Sequence, residues 1–392
     1  MSGTNDVVPV IPQYKDQIRA IYQETPDVAR QSWGDDPFEL KNVLKYWVQD
    51  PINSDYHCIP TDTVFITIDK EAVLRSGMLI QGDSLKTHAD SLNSIPDSMA
   101  ISLRGMRYLT KSKLMMLELL ANCNWERPIY VAMTVGGENL MNLGNHFVQE
   151  GLVYRLTPYN TTEPGMTNYD TEKTYKNVME RFKFGGVSTP GIYLDETVLR
   201  MCRTHRRLMV DLATELVNEG DDLLDQSDYV GGVYSEDGIE AQNGFNAGDQ
   251  RYSEAVDSLI QLADENYEKA LKVLEKLDKE LPAVNVPYDE SSLFEAQLYI
   301  RLGQNDSTIA EKARPILDGL WKRSTQYLTY YESFKDEVMK DYNSECDMHF
   351  QFLSYIRSFY ATIDKKKAEA LETQQMDLLK TFISKGGQLK QR

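Results

Sequence analysis

The feature that most constrains this chain is a change in its hydrophobic pattern near residue 190. Before that point short β-branched runs alternate with helical segments; after Tyr193 the sequence is almost wholly helical in period. One layer architecture cannot satisfy both patterns, because an alternating sequence needs a sheet and a 3.6-period sequence needs other helices. The expectation is an α+β or α/β domain followed by an all-α domain, and 392 residues are enough for each to bury its own core. The boundaries read from the sequence are a helical lead-in over 1–55, an α/β domain over 56–190 and a helical domain over 191–392.

Within the first part, Ile18, Ile21 and Tyr22, then Leu40, Val43, Leu44 and Trp47, recur at helical spacing. Thr63 to Ile68 is β-branched and aromatic, which predicts a strand, and Asp69 to Leu74 predicts a short helix stopped by Gly77. From Met99 to Thr157 the pattern predicts strand 99–103, helix 111–122, strand 128–134, helix 138–147 and strand 152–157. That rhythm is expected of crossover helices covering a small sheet. A further helix is expected over Thr171 to Phe184.

In the helical part, a helix ending at Gly220 and another opening at Tyr267 become one hairpin if Asp221 to Asn266 is set aside as an acidic insertion, read as a mobile loop. The Gly, Tyr, Ala and Pro punctuation of the joined segment resembles a tetratricopeptide repeat, in which small residues let paired helices approach. A second copy follows, with Ala296, Tyr299, Leu302 and Gly303 closing one helix and Ala310 or Ala313 opening the next. Aromatics from Tyr327 to Phe359 fall on helical spacing and are expected in the core.

Charge bears on partners. Sixty acidic against 42 basic residues give a net charge of -18, which repels phosphate backbones, so no nucleic-acid partner is expected. No apolar run approaches the length of a membrane helix, and the first residues, with neither a basic nor an apolar segment, are not expected to act as a signal peptide. Cys58, Cys123, Cys202 and Cys346 lack paired metal-site spacing and read as small buried hydrophobes. The five histidines form no HxH or HxxxH pair, there is no GxSxG elbow, and Val135-Gly136-Gly137-Glu138-Asn139 lacks the features of a phosphate loop. No catalytic residue, metal ligand or cofactor is nominated.

The densest group of recognition-type residues is Asn122-Cys123-Asn124-Trp125-Glu126-Arg127-Pro128-Ile129-Tyr130, a helix end leading directly into a strand. Trp125 either offers its ring to a ligand or covers the core, and Arg127 either meets a partner or pairs with Glu126 or Glu150. The candidate binding surface comprises Asn122, Asn124, Trp125, Arg127, Tyr130, Glu150, Tyr154 and Arg155.

This cluster, preceded by Met115 to Asn122, resembles a signature of large multi-pass membrane proteins of Gram-negative bacteria described as uncharacterised or protein O-mannosyltransferase-like. Ile59-Pro60, Ile68 to Gly77, Asn142-Leu143-Gly144 and Glu150 to Leu156 match in the same order, and the tetratricopeptide-like tail resembles that family's C-terminal end, so the resemblance spans most of residues 40–320. It implies a soluble, periplasmic-facing, non-catalytic region of a longer membrane glycosyltransferase. Its implied partners are the membrane portion of the same polypeptide and a protein or glycan ligand. Two other readings stand beside it: a free-standing tetratricopeptide interaction module, and an α/β hydrolase-like enzyme with a site assembled from distant residues.

Overall fold

A computed structural model describes residues 7–49, 57–81, 87–232 and 250–389. The chain divides into two compact units, Met1–Thr174 and Tyr175–Arg392. The first mixes strands and helices and the second is helical, as the change of period predicts.

The first unit begins with β1 (Val7–Pro9), α1 (Tyr14–Glu24), α2 (Pro26–Trp33) and α3 (Leu40–Val43), which runs on as a π-helical stretch, Leu44–Gln49. Tyr22, Trp33, Trp47 and Tyr14 stack in series, with ring centroids 6.2, 5.7 and 6.0 Å apart, over a small core containing Ile18, Ala29 and Cys58. β2 (Thr63–Thr67) leads to α4 (Lys70–Arg75), whose first turn is capped by Asp69 accepting from the Ala72 amide at 2.9 Å. After α5 (His88–Ser94), β3 (Ser98–Ser102) returns antiparallel to β2 in a register that sets Val64 opposite Ile101 and Ile66 opposite Met99. All four are buried, so this face of the ribbon supplies the main core.

β4 (Tyr108–Thr110) pairs antiparallel with β1 and runs straight into α6 (Lys111–Asn122). β5 (Tyr130–Ala132), β6 (Phe147–Gln149) and β7 (Val153–Leu156) form a three-stranded antiparallel sheet in the order β5-β7-β6.

This part departs from the expected rhythm. Every strand ladder in the described residues is antiparallel, and parallel pairing is confined to the isolated bridges Val10–Ile59, Glu39–Phe65 and Gln149–Tyr169. Residues 138–147 are not a helix. They form two 3-10 turns, Gly137–Asn139 and Gly144–His146, separated by Met141 and Asn142 at φ of 50° and 60°. Those left-handed residues break any α-helix, while Met141, Leu143 and Phe147 are sent inward to the core from an irregular segment.

A short α7 (Thr171–Lys176) with a π-helical turn, Asn177–Arg181, follows in place of one longer helix. The second unit then runs through α8 (Glu196–Gly232), α9 (Gln250–Glu280), α10 (Ser291–Leu302), α11 (Ser307–Ala310), α12 (Ala313–Glu332), α13 (Asp336–Met339), α14 (Asn343–Ile363) and α15 (Lys365–Ser384). α8 packs along α9, α10 against α8 and α12, and α14 against α12 and α15.

The segment 221–266 is helical wherever it is described, where a loop was expected. Residues 221–232 continue α8 and 250–266 belong to α9; positions 233–249 lie outside the described residues. The two halves of the predicted hairpin do meet. A Cβ on Gly220 would fall 2.7 Å from the Tyr267 ring, and the Tyr267 hydroxyl donates to Asp221 at 2.7 Å. The aromatic run is only partly core. Phe350 is buried, whereas Tyr327, Tyr330 and Tyr355 are exposed. Tyr327, Tyr330 and Tyr331 fall at i, i+3 and i+4 on one side of α12, beside its buried face through Leu320, Ser324 and Leu328, and Phe334, two residues past the helix end, packs on Tyr330 with ring centroids 4.8 Å apart.

Candidate functional site

The candidate residues converge on the sheet of the first unit. Tyr130 on β5 stands directly opposite Arg155 on β7, with Val148 of β6 on the other side of Arg155. Side chains in one such row share a face, and the Arg155 guanidinium lies 5.8 Å from the centre of the Tyr130 ring. Gly151, at φ 86°, makes the tight turn from β6 to β7, and the Glu150 amide closes it on the Val153 carbonyl at 2.9 Å. That turn places Glu150 beside the same row.

Glu150 and Arg155 are both buried. The Tyr130 hydroxyl donates to Glu150 Oε2 at 2.9 Å, and Lys173 Nζ donates to Oε1 at 2.8 Å, with Arg155 Nη1 at 3.5 Å from the same oxygen. Arg155 directs its hydrogen bonds at the end of α4: Nη1 to the Gly77 carbonyl at 3.1 Å, Nη2 to the Ser76 carbonyl and hydroxyl, each at 2.9 Å. Lys173 also donates to the Gly77 carbonyl at 2.9 Å and lies 3.7 Å from Asp170. Two cations thus meet the carbonyl end of a helix, where its dipole favours positive charge. Formal charges cancel within the set: Glu150 and Asp170 against Arg155 and Lys173.

Burial pushes the Tyr130 phenol above its ordinary value, reinforced by the Glu150 carboxylate, so the phenol stays a donor at neutral pH. Burial also raises Asp170, against the pull of Lys173. Because Glu150 has both oxygens engaged, it acts as a strut between β5, β7 and α7, not as an available base.

The other candidates have separate places. Trp125 is buried in the main core, so its ring is not a stacking surface. The cause is the backbone: Asn124 and Trp125 have φ of 47° and 59°, and the Glu126 amide bonds the Cys123 carbonyl at 3.2 Å, a turn of the primed type that rotates the indole inward. Asn122 donates back to the Glu118 carbonyl at 2.8 Å, and Asn124 accepts from Lys41 at 3.0 Å; both finish α6. Tyr154 alternates to the opposite face from Arg155 and packs against the core. Arg127 is exposed, and Glu150 is held by Lys173 and Arg155 in its place. Arg127, Trp125 and Arg155 line one small cavity of about 10 Å3, with Cys123, Pro128 and Ile129.

Lys173, Asp170 and the Ser76-Gly77 carbonyls were not foreseen. Lys173 lies 96 residues from Gly77, and no local pattern links them. Gly77 acts through its backbone oxygen, which any residue supplies, and Ser76 adds its hydroxyl to its carbonyl. All four cysteines are free, and Cys123 is only half-buried. Among the described residues no group of three or more His, Cys, Asp or Glu side chains is placed to hold a metal ion, and no helix is long and apolar enough to cross a membrane.

Residues 1–173 match the family model of TMEM260-associated domain 2. The match ends one residue before the first structural unit does, at Thr174. It takes in the whole Tyr130–Glu150–Arg155–Lys173 cluster, so the network lies within the matched region. No curated protein and no solved structure matches the chain.

Proposed function

We propose that the first unit is a non-catalytic accessory domain of a TMEM260-like membrane protein, carried on its extracytoplasmic side, and that its β5 edge recognises an acceptor polypeptide or glycan. The observation that supports this reading is the coincidence of the family match over 1–173 with the unit Met1–Thr174. A matched region that folds as one unit is suited to act as a module beside membrane-spanning segments.

The recognition role rests on the division of labour within the cluster. Glu150, Arg155 and Lys173 brace the sheet against α4 and α7, while Tyr130, 44% exposed, and Arg127 stand at the outer edge on a rigid support. The Tyr130 ring offers a flat face, and the Arg127 guanidinium a flat face and donors, to a sugar ring or a peptide. The resemblance to O-mannosyltransferase-like membrane proteins makes an acceptor of glycosylation the natural ligand class, with the helical second unit as a partner-binding scaffold.

Titration of the chain with a Ser/Thr-rich peptide, unmodified and mannosylated, tests the recognition role. Binding that Arg127→Ala weakens by about tenfold, the worth of a hydrogen bond to a charged group, supports it. Absence of binding to either peptide, or binding indifferent to Arg127→Ala, contradicts it.

A further inference from the structure

Three sheet edges of the first unit are closed by its own chain. Beyond β2, the Phe65 amide bonds the Phe38 carbonyl at 3.2 Å; beyond β6, the Gln149 amide bonds the Asn168 carbonyl at 2.8 Å; beyond β1, the Ile59 amide bonds the Pro9 carbonyl at 2.9 Å. The outer edge of β3 differs. Leu103 N–H bonds the Asp62 carbonyl at 2.8 Å and Ile68 N–H the Asp97 carbonyl at 3.0 Å, so by alternation the bonded pairs of the β2–β3 ribbon are Val64 with Ile101 and Ile66 with Met99. Ser98, Ala100 and Ser102 lie between them and turn their amides and carbonyls away from β2. The Ser102 carbonyl accepts from Asn142 Nδ2 at 3.1 Å, which ends the edge. The amides and carbonyls of Ser98 and Ala100 have no partner among the described residues, and both residues are exposed.

Open edges are normally blunted by charge, proline or a bulge. β3 carries none of these: Ser98 to Leu103 contains no charged residue and no proline, and its register with β2 runs one to one over five pairs. Main-chain donors and acceptors at strand spacing are complementary to another extended main chain. The side chains say which kind. Ser98, Ala100 and Ser102 are all small, and Ala100 lies directly opposite the half-buried Phe65 of β2. A large apolar residue on an added strand, set opposite Ala100, has room to lie over the alanine methyl towards Phe65. A second copy of β3 brings only the same small residues to that face in any register, so it leaves the space unfilled.

We infer that the β3 edge, Ser98–Ser102, is a strand-addition site for an extended segment of a partner polypeptide that carries a large apolar residue opposite Ala100. The site is on a different sheet from Tyr130 and does not depend on the recognition role given to the β5 edge.

The probe is a labelled peptide, Lys-Thr-Val-Phe-Ile-Thr-Lys, which copies Thr63–Thr67 of β2, the strand that β3 already accepts on its other side. Fluorescence anisotropy with the full chain measures binding, and amide hydrogen exchange locates it. Expected is binding that slows exchange at Ser98 and Ala100, and that weakens about tenfold or more when the peptide Phe is replaced by Ser or its amide is N-methylated. Ala100→Pro removes an outward amide without touching a bond to β2, and Ala100→Lys adds the charge that blunts an edge while keeping every backbone bond. Each should weaken binding about tenfold or more, the lysine variant at unchanged thermal unfolding. No binding, binding that leaves exchange at Ser98 and Ala100 unchanged, or binding indifferent to both variants overturns the proposal. Protection of those two amides without peptide, rising with chain concentration alongside sedimentation as a dimer, overturns it in favour of pairing between copies.

Discussion

Tyr130 and Lys173 come from opposite ends of the β5-to-α7 segment and each take one oxygen of the same buried carboxylate, Glu150. The sheet and the helix that closes the first unit are joined through that one side chain. Arg155 completes the set and carries the link on to the end of α4.

Removing the guanidinium leaves a buried carboxylate with one cation fewer. Arg155→Met should therefore destabilise the first unit by about 3–5 kcal/mol, whereas Tyr130→Phe, at a half-exposed position, should cost about 1 kcal/mol. Urea denaturation of the full chain measures both. Equal effects would mean that the carboxylate is not the centre of the network.

Trp125 is a core residue at a left-handed backbone position, and its substitution separates packing from recognition. Trp125→Ala should lower stability by about 3 kcal/mol or more, since the transfer and cavity terms of a large aromatic outweigh any relief of strain. Asn124→Gly should stay within about 0.5 kcal/mol, because glycine accepts the same φ without penalty, while Asn124→Val should cost about 1–2 kcal/mol. Thermal unfolding orders the three variants.

The turn at Asn124 and Trp125 marks where legibility ended. α6 was readable to the residue, Lys111 to Asn122, because its apolar spacing and its end are local properties. β2, β3 and β7 were readable for the same reason. The direction of strand pairing was not, since short strands alternating with helical runs suit parallel and antiparallel sheets alike. The hairpin was read from tetratricopeptide-like punctuation with a helix ending at Gly220 and another opening at Tyr267; α8 and α9 do pack together, but both residues lie inside them. The helical nature of the acidic stretch was hidden by its charge, which reads as solvated loop but also clothes the outer face of a long helix. Tyr130, Glu150 and Arg155 were singled out and do meet; Lys173 was invisible because only the tertiary fold brings it to Gly77.

The Gly220–Tyr267 contact makes an unusual prediction for a helical glycine. Gly→Ala on an exposed helix stabilises by up to about 1 kcal/mol. Here the added methyl meets the ring at 2.7 Å, so Gly220→Ala should destabilise the second unit by about 1–3 kcal/mol. Combining it with Tyr267→Leu should recover part of the loss, as a double-mutant cycle in urea would measure.

The second unit also holds a buried acid, Glu295, beside the exposed Asp278. Glu295 on α10 is buried against Asp278 on α9, which accepts from the Tyr299 hydroxyl at 2.5 Å. Burial first, then the charge of Asp278, pushes the Glu295 carboxyl well above its ordinary value of 4.5, against the pull of Arg206. A carboxyl raised on folding binds its proton more tightly in the native state. The associated stability is fully present below the ordinary value and falls as pH rises towards the elevated folded one. Glu295→Gln should flatten this decline and leave the second unit more stable than the parent near neutral pH. Unfolding midpoints measured from acid to neutral pH check the sign.

The central claim is that the first unit works beside membrane-spanning segments. Crosslinking in intact cells, followed by recovery of the first unit and sequencing of every peptide joined to it, tests this most directly. Expected are peptides from a polytopic membrane polypeptide, either continuous with this chain or crosslinked to it through the Arg127–Tyr130 edge. Recovery of the chain free of membrane-spanning sequence, or joined only to soluble proteins, would contradict it.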